Sequence, residues 1–337
     1  LTNIWRNMET TKYYVLMKGF TTVHQHTTSN DIQDNLVEFF DWSLLEKNNY
    51  FNSTLGELSP DSQDYSKLRL SKNENFTAGQ VWEGHRENWV WQSGISGVDG
   101  YHNPLVGSNH TKPGISGVYV DDTFYPSTTT GDYAHHVDYF NGRIVFDSPI
   151  PTGSKVQAEH SYKYINVIYA NNLPWVKEIQ TKSLSLAAGF FTDEKGDVNV
   201  PQEAKVQLPM IAVEVVPNRT FQGYQLGGGQ WIRQDVIFHC IAEDEYTRNK
   251  LIDIVSLQND KTICLFDSNR INSATKFPID YRGMPVSGAL RYPDLVEQFY
   301  GGKMRLTKAS VQQMEMVDSN IFGGVVRMTT ELIKSNI

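Results

Sequence analysis

The chain has 337 residues, of which 39% are hydrophobic and 20% charged, and it carries a formal net charge of −8. This composition excludes a largely disordered chain, and the length exceeds one typical core, so two domains are expected. No run of Lys and Arg offsets the acidic balance, which argues against a protein that grips nucleic acid through its phosphates.

From Asp31 to Lys47, the residues Ile32, Leu36, Val37, Phe39, Phe40, Leu44 and Leu45 recur near helical spacing. This predicts an amphipathic helix, capped by Asn30 or Asp31. Asn48 to Asn88 is polar and turn-rich, and its aromatics Tyr50, Phe51, Tyr65, Phe76 and Trp82 follow no period. Ordered loop is expected there. The pentapeptide Gly94-Ile95-Ser96-Gly97-Val98 recurs as Gly114-Ile115-Ser116-Gly117-Val118, a hint of a repeated turn-and-strand unit but too few copies for a repeat architecture. A strand is predicted from Val118 to Tyr125. Tyr133 to Phe140 and Arg143 to Phe146, separated by Asn141-Gly142, read as a hairpin with a two-residue turn, because a type I′ turn needs positive φ at both central positions. A long strand is predicted from Lys155 to Tyr169.

Further on, strands are predicted at Val206 to Val216 and Gln230 to Ala242, with Gly227-Gly228-Gly229 as a flexible hairpin tip. Glu243-Asp244-Glu245 opens a helix through Gln258, since acidic residues suit a helix N-terminus. A strand at Lys261 to Phe266 follows, then a long connection with a helical turn near Pro293 to Tyr300. The last strands are Lys303 to Val317 and Val325 to Ile333, joined by a loop from Asp318 to Gly324. The class is α+β / mostly β. Residues 1–89 form an N-terminal arm, helix and ordered loops, 90–170 an antiparallel β domain, sandwich or barrel, 171–205 a linker, and 206–337 an α+β domain with one antiparallel sheet.

Residues that could carry chemistry read as structural. Gly227-Gly228-Gly229 lacks the Lys-Ser/Thr of a phosphate loop. His24 and His26 share a strand face but have no third ligand nearby, while His135 and His136 point to opposite faces and His160 reads as a packed aromatic. Asp121-Asp122 suits a turn and Glu243, Asp244 and Glu245 a helix cap, rather than the carboxylate pair of a glycosidase. Cys240 and Cys264 sit in apolar strand-like runs and read as buried free thiols. Lys303, Arg305 and Lys308 read as one solvated strand face. No stretch approaches about 18 apolar residues, so no membrane-spanning helix is expected. The run Tyr13 to Met17 is too short for a signal peptide, so the chain is expected to stay in the cell that makes it. No catalytic residue, metal or cofactor is expected.

The stretches Gly117 to Pro126, His136 to Phe146 and Val156 to Glu159 resemble virion structural proteins of tailed bacteriophages. The C-terminal element order resembles tail-terminator or neck proteins, most closely over Trp231-Ile232-Arg233-Gln234-Asp235-Val236-Ile237-Phe238 and Asp244 to Gln258. The resemblance covers residues 30 to 335 in element order rather than through a diagnostic motif, and a minimal terminator is much shorter than this chain. It implies a non-enzymatic subunit forming a ring at the head–tail neck or tail terminus, located in the virion and assembled in the host cytoplasm. Its partners would be copies of itself and other neck or tail proteins, with DNA passing the lumen without specific binding. Trp231, Arg233, Asp235, Arg305 and Lys308 are the interface candidates. The alternatives are another tail or baseplate component, or a receptor-binding module in which Trp82, Trp89, Trp91, Tyr101, Tyr119 and Tyr125 stack on sugar rings, with Trp89, Trp91 and Tyr119 at its centre.

Overall fold

The computed structural model describes residues 29–56, 64–72, 75–92, 95, 115, 117–170, 191–192, 198–199, 207–224, 229–273, 282–285, 289–318 and 321–334. The expectations for residues 1–28 (His24 and His26 among them), for Tyr101, for Gly227 and Gly228 and for most of the linker fall outside that set. The class is the expected one, mostly β with a few helices.

The first helix, α1 (Ser29–Leu45), follows the predicted stripe: Ile32, Leu36, Val37, Phe40 and Leu44 are buried in the larger of the cores. It begins at Ser29, so Asn30 and Asp31 lie in its first turn rather than capping it. Two buried amides fix its position. Asn35 donates to the Phe266 carbonyl (3.0 Å) and accepts from the Phe266 N–H (2.8 Å), and Gln33 donates to the Val213 carbonyl (2.6 Å). Phe266 and Val213 belong to well-separated strands of the C-terminal sheet, so the helix lies across that sheet. Packing therefore joins α1 to the C-terminal half.

The segment expected to be loop contains three short strands, β1 (Tyr50–Ser53), β2 (Arg69–Leu70) and β3 (Val81–Glu83). Strands of two to four residues are too short to display a period-two pattern. The predicted strand at 118–125 is instead a hairpin of β4 (Gly117–Val120) and β5 (Thr123–Pro126). Asp121 and Asp122 turn it with left-handed φ of 49° and 66°; Asp tolerates that region because its short side chain bonds locally. The Asp121 carboxylate accepts the Lys155 N–H at 2.8 Å and Asp122 pairs with Lys155 Nζ at 2.7 Å.

β6 (His135–Asp138) and β7 (Arg143–Phe146) pair as a hairpin, but Asp138 faces Arg143, so the loop is Tyr139 to Gly142 rather than Asn-Gly alone. Asp138 rebuilds the turn, accepting from Asn141 N, Asn141 Nδ2 and Arg143 Nε at 3.1, 2.7 and 2.8 Å. The predicted strand 155–169 is broken into β8 (Val156–Gln157), β9 (His160–Lys163) and β10 (Asn166–Tyr169), each in a different sheet. Asn49 holds the bend before β10, donating to the Ile165 carbonyl and accepting its N–H at 2.8 and 2.7 Å.

The central sheets run β2-β3-β7-β6 and β5-β4-β8, with the pair β1-β9 beside them. Their shared core contains Leu68, Trp82, Trp89, Ile115, Val118, Val137, Ile144, Phe146 and Val156. This core reaches back well before residue 90. The repeated pentapeptides are not equivalent in space: Ile115 lies in this core, whereas Ile95 packs with Leu45, Tyr50 and Val90. Within the linker stretch, β11 (Phe191–Thr192) and β12 (Val198–Asn199) form an antiparallel pair.

The C-terminal sheet uses β13 (Met210–Gly223), β14 (Gln230–Ala242), β15 (Thr262–Phe266), β16 (Tyr300–Asp318) and β17 (Ile321–Lys334), in the order β10-β13-β14-β17-β16-β15. It is not wholly antiparallel, because β10 adds to β13 in parallel. α2 (Glu245–Ser256) is capped by Asp244, whose carboxylate accepts the Thr247 N–H at 2.8 Å. α4 (Tyr292–Gln298) is the expected turn of helix, and α3 (Ser268–Ser273) was not expected. The predicted loop 318–324 is mostly strand, with Gly323 and Gly324 opposite Ile241 and Cys240. A Cβ on Gly324 would lie 2.4 Å from Ile252 Cδ1, so this glycine lets α2 lie close on the sheet.

Candidate functional site: the open face of the large sheet

Alternation decides which side chains meet. On β14 the even residues Ile232, Val236, Phe238 and Cys240 enter the core beneath the helices. The odd residues Trp231, Arg233, Asp235 and Ile237 therefore take the opposite face, and all four are only partly buried. The same rule applied to β17 brings Arg327, Thr329, Glu331 and Ile333 to that face, beside their partners Ile237, Asp235, Arg233 and Trp231.

A charge ladder crosses three strands. Arg233, Glu331 and Arg305 are direct cross-strand neighbours on β14, β17 and β16. The Arg233 guanidinium stacks on the Trp231 ring, 3.6 Å from its centroid, and its Nε lies 3.1 Å from Glu331 Oε1. That pair is electrostatic rather than an aligned hydrogen bond, since the buried Nε has no hydrogen-bond acceptor. Arg305 also reaches Asp260 at 3.1 Å. In the next row Asp235 accepts from Arg327 Nη2 and from Thr329 Oγ1. Burial alone would raise the Asp235 pKa. The hydrogen bonds from Arg327 and Thr329, with the charges of Arg327 and Lys308, outweigh it and hold the carboxyl below its usual value. Lys308 occupies a left-handed position (φ 56°) at the irregularity between Thr307 and Ser310. Further down the same face His239, Met210, Ala212 and Ile241 are buried, and His239 Nε2 lies 2.9 Å from Glu214. The open part is thus the end bearing Trp231.

The structure brings Trp231, Arg233, Asp235, Arg305 and Lys308 to one surface. The sequence reading missed Glu331, Arg327 and Thr329, which tie them together; strict alternation along β17 was the available signal. The sugar platform does not form around Trp89. That residue is 1% exposed, stacked on His160 at 4.1 Å, with its indole N–H donated to the Arg86 carbonyl. Trp82 is buried as well, while Tyr119 is tilted against Phe124 and half-buried, as is Trp91. His160 is the packed aromatic expected, and burial pushes its pKa down to about 4. Cys240 and Cys264 are free; Cys240 is buried and its thiol is pushed up to about 12, but Cys264 is only half-buried.

A second cluster was not foreseen. Asp34, Glu38 and Asp41 line one face of α1 where it meets β9 and β10. Burial, then repulsion from Asp41, raises Glu38 to about 7, against the pull of Lys163. Burial, then Asp31, raises Asp34 to about 6. Asp41 is held by Lys163 Nζ at 2.6 Å and Gln92 Nε2 at 2.9 Å. Among the described residues no group of three His, Cys, Asp or Glu side chains is placed to hold a metal ion, and no helix is long and apolar enough to cross a membrane.

No protein-family model matches the chain, and no curated protein matches it.

Proposed function

We propose that the chain is a non-enzymatic structural subunit of a tailed-bacteriophage particle. It assembles with copies of itself into a ring at the head–tail neck or tail terminus and joins tail to connector. The observation that carries this reading is the open sheet face. It is open at its Trp231 end, where Arg233 stacks on Trp231 and pairs with Glu331, and where Asp235 pairs with Arg327. Preorganised side chains lose little freedom on docking, and a Trp with a stacked Arg is the composition favoured at the centre of protein interfaces. The element order that resembles neck and terminator proteins includes these same strands. The chain's net negative charge suits a ring through which DNA passes without adhering.

Light scattering on the purified chain, alone and mixed with neck and tail proteins of the particle, tests the reading. A closed oligomer of defined number, or a monomer that assembles only with those partners, supports it. A monomer under every condition overturns it. Antibody labelling of intact virions then separates the neck from the tail terminus and from a baseplate position.

A further inference from the structure

Two edges of the large sheet are left without a neighbouring strand among the described residues, and they complement each other. β15 covers β16 only from Tyr300 to Arg305, and the backbone beyond is engaged as far as Ala309, whose N–H bonds to Asn259. From Ser310 to Asp318 β16 pairs on one side alone, with β17. On the far edge of the sheet, β10 covers β13 only from Met210 to Val213, and Thr220 to Gly223 pair only with β14. The two vacancies are diagonal: that of β13 lies at the Trp231 end, that of β16 at the Ala242 end. β13 and β16 also run in opposite directions, because three successive antiparallel pairings separate them.

Each vacant edge carries an exposed apolar side chain on the same face of the sheet. Phe221 faces Ile232 and is 56% exposed. Val311 faces Val326 and is 47% exposed. Ile232 and Val326 are both core residues, so Phe221 and Val311 sit on the helix side. A long edge without a neighbour is a template for another strand. Ser310 to Asp318 contains none of the Lys or Pro residues that usually blunt an edge.

We infer that Ser310 to Gln312, at the start of the open β16 edge of one copy, pair antiparallel with Thr220 to Gln222 of the next, placing Val311 against Phe221 and extending one sheet from subunit to subunit. The pairing is heterologous, since the two edges differ. It therefore generates a ring when the rotation closes. A twofold contact between two β16 edges would cover Val311 and leave Phe221 in water. The head-to-tail contact covers both, because it keeps the helix sides of neighbouring copies aligned. This inference rests on the reading of the chain as a self-associating subunit, and it supplies the contact.

With Val311 opposite Phe221, the antiparallel register sets Gln312 opposite Thr220, both on the open face. T220C and Q312C chains, made separately and distinguished by a size tag, are mixed and mildly oxidised, with the unmodified chain as control for Cys240 and Cys264. A cross-linked product carrying one of each chain, and absent when either variant is oxidised alone, is expected. F221K and V311K change exposed side chains; each is expected to keep the unmodified chain's circular dichroism and melting temperature and to weaken self-association by about tenfold or more. No mixed product, or a product from Q312C alone, overturns the inference. Light scattering on the unmodified chain tells the two failures apart. An oligomer without the mixed cross-link sinks only this contact, whereas a chain that stays monomeric sinks the ring reading as well.

Discussion

The central β core and the C-terminal sheet solve the same problem in opposite ways. The central core uses strands of two to four residues in several small sheets, and closes itself with large aromatic side chains: Trp82, Trp89 and Phe146 are all buried. The C-terminal sheet uses strands of up to 19 residues. It buries one face under α1 and α2 and leaves the Trp231 end of the other face, and parts of two edges, to solvent. A region closed on itself contributes stability. A region whose strands outrun their cover has surface to share.

The sharpest way to break that contrast is to truncate an equivalent residue in each region. Trp89→Ala is expected to cost about 3–5 kcal/mol, since it leaves a cavity and removes the stack on His160. Trp231→Ala, partly buried at the sheet end beneath Arg233, is expected to cost about 1–2 kcal/mol while weakening self-association. Urea unfolding of both variants measures the first pair of values and light scattering the second; comparable losses of stability would erase the distinction. Next in size is Asp138→Ala. Its carboxylate serves Asn141 twice and Arg143 once, and is 3% exposed. Its removal strands three donors and is expected to cost about 2–4 kcal/mol by the same unfolding assay.

Much of the C-terminal sheet was legible because long strands display their period. The prediction for β14 matches at both ends, and α2 was placed through its acidic cap. The central region was not legible, because its strands are too short to alternate and because Trp89 reads the same in a core as on a sugar platform. Parity alone puts Trp231, Arg233 and Asp235 on one face of β14, but Lys308 and Arg305 differ in parity and come to one face only through the irregularity between Thr307 and Ser310, and the placing of Glu331 between Arg233 and Arg305 depends on register. Register between β14, β17 and β16 is set across intervening segments. The carboxylates of α1 were hidden for a different reason. Asp34, Glu38 and Asp41 look like an ordinary solvated helix face, and only the arrival of β9 and β10 buries them.

That burial makes the junction between the two regions sensitive to pH. Glu38 rises from 4.5 to about 7 and Asp34 from 3.8 to about 6 on folding. The folded chain then binds more protons than the unfolded one between those limits, so stability falls as pH rises from about 4 through 7. Other groups facing the site are Asp31 and Asp41 on the helix, Lys163 from β9 and Tyr169 from β10. Glu38→Gln removes the charge while keeping the shape. It is expected to raise stability at pH 8 by about 1–2 kcal/mol, below the full shift because Glu38 keeps partial access to water, and to change little at pH 4. Thermal melts of both chains across that range check the sign. An unchanged or lowered melting temperature at pH 8 would mean that Lys163 holds Glu38 ionised.

The smallest expected effect sharpens the contrast from the other side. Arg305 and its partner Asp260 are 55% and 60% exposed at their side chains, where an ion pair contributes little because water screens both charges. Arg305→Ala should shift unfolding by less than about 0.5 kcal/mol. Asp235→Ala should cost about 1 kcal/mol, because its carboxylate is better covered and accepts from two donors. If the open face is organised for a partner, both variants should lower self-association by a larger factor than they lower stability, and added salt should narrow that gap for Arg305 more than for Asp235. Association that follows stability in both variants would make the ladder a device of the fold alone.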